Sequence, residues 1–259
     1  MRIVTTTCSN TEIVCALGCA ELLVGVDEHS DFPPEVVERL PRVGPDLGID
    51  PAKVAALEPD LVIASYTVPG HELVVDGLRA VGLRVEAPEP TSIDDVYRDV
   101  RDVARWLGVD ERGERLVAKM REVLEQRAVA PPHAARPRIL VEWWPKPVIV
   151  PGRASWVTDL LERVGATNPW GGEDVKSRPV RDEEVRAADP DAIVIAWCGV
   201  PPHKYRASVV ERRPGWAGLG ALERGRIYCV PEAYLGRPSP RLVDGHRALA
   251  RIVAELEGA

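Results

Sequence analysis

Thiols, imidazoles and indoles are the side chains of this chain with chemistry to offer, and their spacing points away from catalysis. Cysteines stand at Cys8, Cys15, Cys19, Cys198 and Cys229, with no CxxC pair of the redox or zinc type. Cys15 and Cys19 lie one turn apart on a presumptive helix face and read as small core hydrophobes, the usual state of free cysteine. Cys8 and Cys198 each follow an apolar run, so a soft metal-ligand role at a strand end stands beside plain packing. The five histidines are scattered rather than set at ligand spacing, and no G-x-S-x-G, H-E-x-x-H, P-loop or G-x-G-x-x-G occurs. No catalytic or metal-binding set is assigned. The weight moves to binding.

Tryptophan is the aromatic in excess, with seven residues. Trp143 and Trp144 end one apolar run and Trp197 ends another; Trp156, Trp170 and Trp216 sit near loops or helix starts. Core packing accounts for any one of them, but several at strand C-terminal ends suit a ligand, because α/β sheets bind there. An aromatic wall fits a large, flat, partly apolar molecule. The first turn, Thr7-Cys-Ser-Asn-Thr-Glu12, offers polar side chains and amides at a helix start, with ordinary capping by Ser9 or Asn10 as the plainer reading. Arg237 is a candidate anchor for an acidic or amide-bearing ligand edge.

The elements that must position these residues alternate. Strands are predicted at 2–7, 23–26, 61–65 and 83–87, with helices at 10–18, 51–57 and 71–81. That alternation implies parallel βαβ units. Ile93, Val96, Tyr97, Val100, Val103, Ala104 and Leu107 share one helix face, and a further helix is predicted over 110–127 as a stiff brace about 27 Å long. Ala130–Pro137 reads as a linker. Strands at 138–143, 192–197 and 226–230, with helices at 154–164, 181–187 and 241–257, repeat the plan.

The repetition reaches the residue level. Val54–Ser65 reappears as Val185–Trp197, with Pro59 and Pro190 131 positions apart. The predicted class is therefore α/β: two Rossmann-like lobes with parallel sheets, residues 1–91 and 128–259, joined through a helical connector at 92–127. A cleft between them would take the ligand.

A net charge of −7 argues against nucleic acid, which demands clustered cations. No run of about 18 apolar residues predicts a membrane span. With Met1 as the start, the missing export signal implies the cytosol; with a signal removed upstream, the protein would be exported. A monomer is expected.

At this point a family resemblance emerges. Ser9–Gly18, Val24–Pro34 with its Asp-Phe-Pro-Pro element, Leu40–Gly44, Leu57–Ala64, Val164–Asn168 and Pro238–Gly245 with Pro-Ser-Pro-Arg resemble the cobalamin- and siderophore-type substrate-binding proteins of ABC importers. The likeness runs the length of the chain in order and favours the corrinoid branch. It implies two lobes joined by one long helix and no enzymatic activity or required cofactor. The implied ligand is a corrinoid, with heme or a ferric siderophore as alternatives, and the implied partner is an ABC permease; a corrinoid-handling enzyme or chaperone on this fold is the competing reading. Carried onto this sequence, the ligand residues are Ser9, Asn10, Thr11, Glu12, His29, Ser30, Asp31, Tyr66, Trp143, Trp144, Trp197 and Tyr234. The transporter-docking acids are Glu72 and Glu183, with Glu184 as substitute for the latter.

Overall fold

Short apolar runs become parallel strands, and the amphipathic stretches between them become helices, in the computed structural model, which describes residues 1–126 and 136–258. The chain divides into two compact units: Met1–Pro90 with Asp94–Lys119, and Thr91–Ile93 with Met120–Ala259.

The first unit runs β1 (Ile3–Thr5), α1 (Cys8–Ala16), β2 (Leu23–Val26), α2 (Pro34–Val37), α3 (Pro51–Ala56), β3 (Leu61–Ile63), α4 (His71–Ala80) and β4 (Val85–Glu86). Helices α5 (Ile93–Trp106) and α6 (Asp110–Leu124) follow. Its sheet has the order β2-β1-β3-β4 and is parallel throughout. Every residue of β1 and β3 is buried, as strands covered on both faces must be. The predicted stripe on α5 holds, with all seven positions from Ile93 to Leu107 buried. The predicted brace is shorter than expected: α6 ends at Leu124, and the unit boundary falls inside it. The linker reading at 130–137 falls mostly on 127–135, outside the described residues. Cys19 lies beyond the end of α1, heading a 3₁₀ turn, so it does not share a helix face with Cys15.

The second unit contains β5 (Ile139–Glu142), β6 (Trp144–Pro145), β7 (Val148–Pro151), α7 (Trp156–Arg163), β8 (Ser177–Val180), α8 (Asp182–Ala188) and β9 (Ala192–Ile195). It continues through α9 (Ala207–Glu211), α10 (Gly220–Glu223), β10 (Ile227–Cys229), α11 (Glu232–Leu235) and α12 (Leu242–Glu257). The parallel sheet is β10-β9-β5, as the alternation predicts. A second sheet, β6-β7-β8, is antiparallel and was not predicted. Prolines 145, 147, 151 and 179 disguise it, since proline weakens a strand signal and is tolerated chiefly at edges and strand ends.

The repeated Pro-Asp segment has one structural task, performed twice. Asp60 accepts the Arg2 amide at 2.6 Å, and Asp191 accepts the Arg138 amide at 2.7 Å. The amides of Asp60 and Asp191 return the bond to Arg2 and Arg138 carbonyls, both at 2.8 Å. The same arginines reach the helix-end carbonyls of Leu57 and Ala188. Glu58 and Asp189 both take positive φ (47° and 40°) where the chain leaves the helix. Each copy thus locks the entry of its central strand pair, Ile3 beside Leu61 and Ile139 beside Ala192.

Candidate functional site

Parallel strands end at a common edge, and in each unit the candidate residues gather there. In the first unit β1 runs through Thr5, Thr6 and Thr7 into α1. The predicted ligand residues Ser9, Asn10, Thr11 and Glu12 are all buried, not exposed as the sequence suggested. Buried polar groups need partners, and most of these find them inside the unit. Thr11 Oγ1 meets Thr5 Oγ1 at 2.6 Å and Ser30 Oγ at 2.7 Å. Asn10 Nδ2 donates to the Ala64 carbonyl at 2.6 Å and to Thr7 Oγ1 at 3.0 Å. Thr6 Oγ1 is buried without a hydrogen-bond partner among the described residues.

Asp27 anchors this cluster from the end of β2. Burial raises its carboxyl above the usual range, against the hydrogen bonds of Ser30 Oγ and the His29 amide. Arg42 bonds the carbonyls of Asp27 and Ser30 at 2.8 and 2.6 Å and so fixes the loop. Ser30 faces inward, while His29 and Asp31 are exposed. Tyr66, just past β3, is half-buried, its hydroxyl accepting from Arg79 at 3.2 Å.

In the second unit the residues after β5 form an aromatic surface. Trp144 is 42% exposed, its Nε1 donating to the Lys146 carbonyl at 3.1 Å. Trp143 is half-buried, 6.1 Å from Trp156 between ring centroids, and its buried Nε1 has no hydrogen-bond partner among the described residues. Trp197, predicted as a wall of the site, is instead core: 5% exposed, edge-on to Tyr205, with Nε1 donating to Glu142 at 2.7 Å. Tyr234 is half-buried, with the Arg241 guanidinium 5.0 Å from its ring centroid. Arg237, expected as a ligand anchor, is buried and donates to Glu232 at 3.0 Å.

Two residues that sequence reasoning missed stand behind this surface. Glu142 is fully buried, and Arg213 donates to both its oxygens. An acid inside the apolar run Ile139–Glu142 was the available signal, because buried charge requires a partner. Nothing local marked Arg213. Asn168, within the family-like Val164–Asn168 stretch, is structural: Nδ2 bonds Pro151 O and Thr158 Oγ1, and Oδ1 accepts the Trp170 amide.

The cysteines are poorly placed for chemistry. Burial, with Glu12 and Glu35 nearby, pushes the Cys15 thiol up to about 11, and burial raises Cys19 and Cys229 as well. Among the described residues no three His, Cys, Asp or Glu side chains converge as a metal site.

The acids expected to dock a permease differ in their surroundings. Glu72 is exposed in the first turn of α4, its carboxylate accepting the Gly70 amide at 2.9 Å. Its neighbour His71 is buried, with Nε2 3.5 Å from Asp46 and Nδ1 accepting the Val68 amide, which pins the turn. Glu183 is exposed in the first turn of α8, with no ion pair among the described residues. The Arg181 amide, with the guanidinium groups of Arg178 at 2.9 Å and Arg181 at 3.1 Å, lowers the Glu184 carboxyl to about 2. No helix among the described residues is long and apolar enough to cross a membrane.

Comparison with known proteins places the chain in context. The sequence profile described as periplasmic binding protein matches residues 3–234. The uncharacterized ABC transporter substrate-binding lipoprotein YvrC of Bacillus subtilis (strain 168) is 28% identical over 258 residues, covering 97% of this chain and 79% of that protein. A vitamin B12-binding protein of Vibrio cholerae is 26% identical over 245 residues, with coverages of 94% and 85%. A periplasmic heme binding protein from Pseudomonas aeruginosa has a solved structure of TM-score 0.83 at 30% identity, covering 96% and 91%.

Proposed function

The chain belongs to the periplasmic binding protein family, and from that premise we propose that it binds a corrinoid, cobalamin or a cobinamide-like form, and delivers it to an ABC permease. Family members are the non-enzymatic substrate-binding proteins of ABC importers, which sets the corrinoid-handling enzyme aside. The corrinoid is cargo, and no cofactor of the protein's own is required.

The observation that carries this reading is the Trp143–Trp144 surface. Trp144 offers an exposed indole face, and beside it the Trp143 N–H is buried without an acceptor among the described residues. Orphaned buried donors are rare, and a ligand that brings its own carbonyl oxygen supplies the missing partner. A corrin ring rimmed with amide side chains offers both a broad apolar face and such oxygens. The likeness to vitamin B12-binding proteins over nearly the whole chain supports the same ligand.

Heme is the second reading, favoured by the heme-binding relative of TM-score 0.83. Heme iron in proteins takes an axial side-chain ligand, whereas a corrinoid can arrive with its cobalt positions filled. Titration with cyanocobalamin, cobinamide, hemin and a ferric hydroxamate, read by tryptophan quenching and visible absorption, separates these. Saturable quenching by corrinoid supports the proposal. A shifted heme absorption band, or siderophore binding, with corrinoids inert overturns it.

A further inference from the structure

Arg213 has no part in the ligand reading above, yet several contacts converge on it. Its guanidinium donates to both oxygens of fully buried Glu142, at 2.6 and 2.7 Å, and reaches the Pro145 carbonyl at 3.5 Å. Those two anchors bracket Trp143 and Trp144. The face of the same guanidinium lies 4.4 Å from the Trp216 ring centroid. Trp216 Nε1 in turn donates to Asp182 Oδ1 at 2.8 Å, in the first turn of α8.

We infer that Arg213 and Glu142 form a positioning pair that fixes the Trp143–Trp144 surface and ties it to the first turn of α8, beside Glu183. Stability alone is a poor reason for such a pair. Removing two charges from water is expensive, and well-packed apolar residues often serve a core as well or better. What the pair adds is geometry. A planar fork on both carboxylate oxygens admits one orientation, which a lysine cannot impose. Glu142 is the last residue of β5, so its orientation sets the exit of the chain into Trp143. Strand β6 beyond it is only two residues long, Trp144–Pro145, and the Arg213 contact supplements its thin ladder. Stacking on Trp216 holds the arginine itself from the other side. The consequence for binding rests on the ligand reading given above; the clamp does not.

The test uses the full chain labelled with 5-fluorotryptophan, whose seven resonances are assigned by single Trp→Phe changes. In Arg213→Lys, which keeps a charge opposite Glu142 but not the fork, the Trp143 and Trp144 signals should shift or broaden. Trp170, in the same core cluster, should hold its position. A merely structural pair would instead loosen the cluster and move Trp170 equally. Arg213→Met should enlarge the effect; if it fails to fold, Glu142→Gln, which retains an acceptor for Trp197, serves in its place. Unmoved Trp143 and Trp144 signals, or an equal shift at Trp170, overturn the inference. With cyanocobalamin as probe, Arg213→Lys should weaken binding at least about tenfold with a parent-like unfolding midpoint, the scale seen when a supporting shell loosens. Unchanged affinity overturns the positioning role. A parent that binds no corrinoid overturns the ligand reading instead, and the fluorine signals still decide the clamp.

Discussion

On α5, Asp99 is buried beside Arg98, and desolvation lifts its carboxyl to about 7 despite the guanidinium. An unfolded aspartate titrates near 3.9, so the native state holds the extra proton between those values. Its contribution to stability is therefore complete below about pH 4 and is lost as pH rises through about 7. Buried Asp27, also raised, adds the same sign. Asp99→Asn carries no charge to bury, so its urea midpoint should gain on the parent's between pH 4 and pH 8. A constant difference between the two would sink the assignment. Trp144 provides the opposite test, of function without stability. Because it is exposed, Trp144→Ala should cost under about 1 kcal/mol of stability yet weaken ligand binding by about 1–3 kcal/mol. Calorimetry and quenching titrations on the same sample measure both. Equal affinity in a folded variant would remove Trp144 from the site.

Elements here are pinned by short contacts at their ends rather than by length. The Asp60 and Asp191 clamps do equivalent work in the two sheets, so alanine at either position should cost about 1 kcal/mol, the usual worth of such a bond. Asparagine, which keeps an acceptor, should recover part of it in chemical denaturation. At α8 the turn is set by contact. A Cβ on Gly215 would collide with the Asp182 side chain. Gly215→Ala must displace Asp182 and break its bond to Trp216, at about 1–3 kcal/mol. Because the two residues share that contact, Gly215→Ala with Asp182→Ala should cost less than the sum of the single changes. Additivity would show that the contact is not the source of strain.

At the scale of the whole molecule, the function proposed above calls for a surface that a permease can recognise. Glu72 and Glu183 are exposed acids in the first turns of α4 and α8, and exposed acids contribute little to folding. On the function proposed above, their value would lie in charge-assisted bonds to a permease's arginines. Glu72→Gln with Glu183→Gln, which spares the Gly70 contact, should leave the unfolding midpoint and ligand affinity unchanged. Capture by the reconstituted cognate transporter should be lost. Undiminished capture would reassign the docking surface.

Much of this was legible in the chain before any fold was drawn. The alternation of apolar runs with amphipathic stretches determined the parallel βαβ plan, because burial on both faces forces strands to read as continuous apolar segments. The repeated Pro-Asp segment announced two units of like design, and it proved to mark the locked strand entries. The β6-β7-β8 sheet stayed hidden because its prolines carry turn signals and β8 joins the short β6-β7 hairpin from some 26 residues further on. The site was legible only in part. Residue type placed aromatics at strand ends, but Trp197 went to the core while Trp144 stayed exposed, a choice made by neighbours that lie far away in sequence. Ser9, Asn10 and Thr11 turned to Thr5, Thr7, Ser30 and the Ala64 carbonyl instead of facing out. The Glu142–Arg213 pair spans 71 positions, and only folding could bring a strand-end acid to the arginine that makes its burial tolerable.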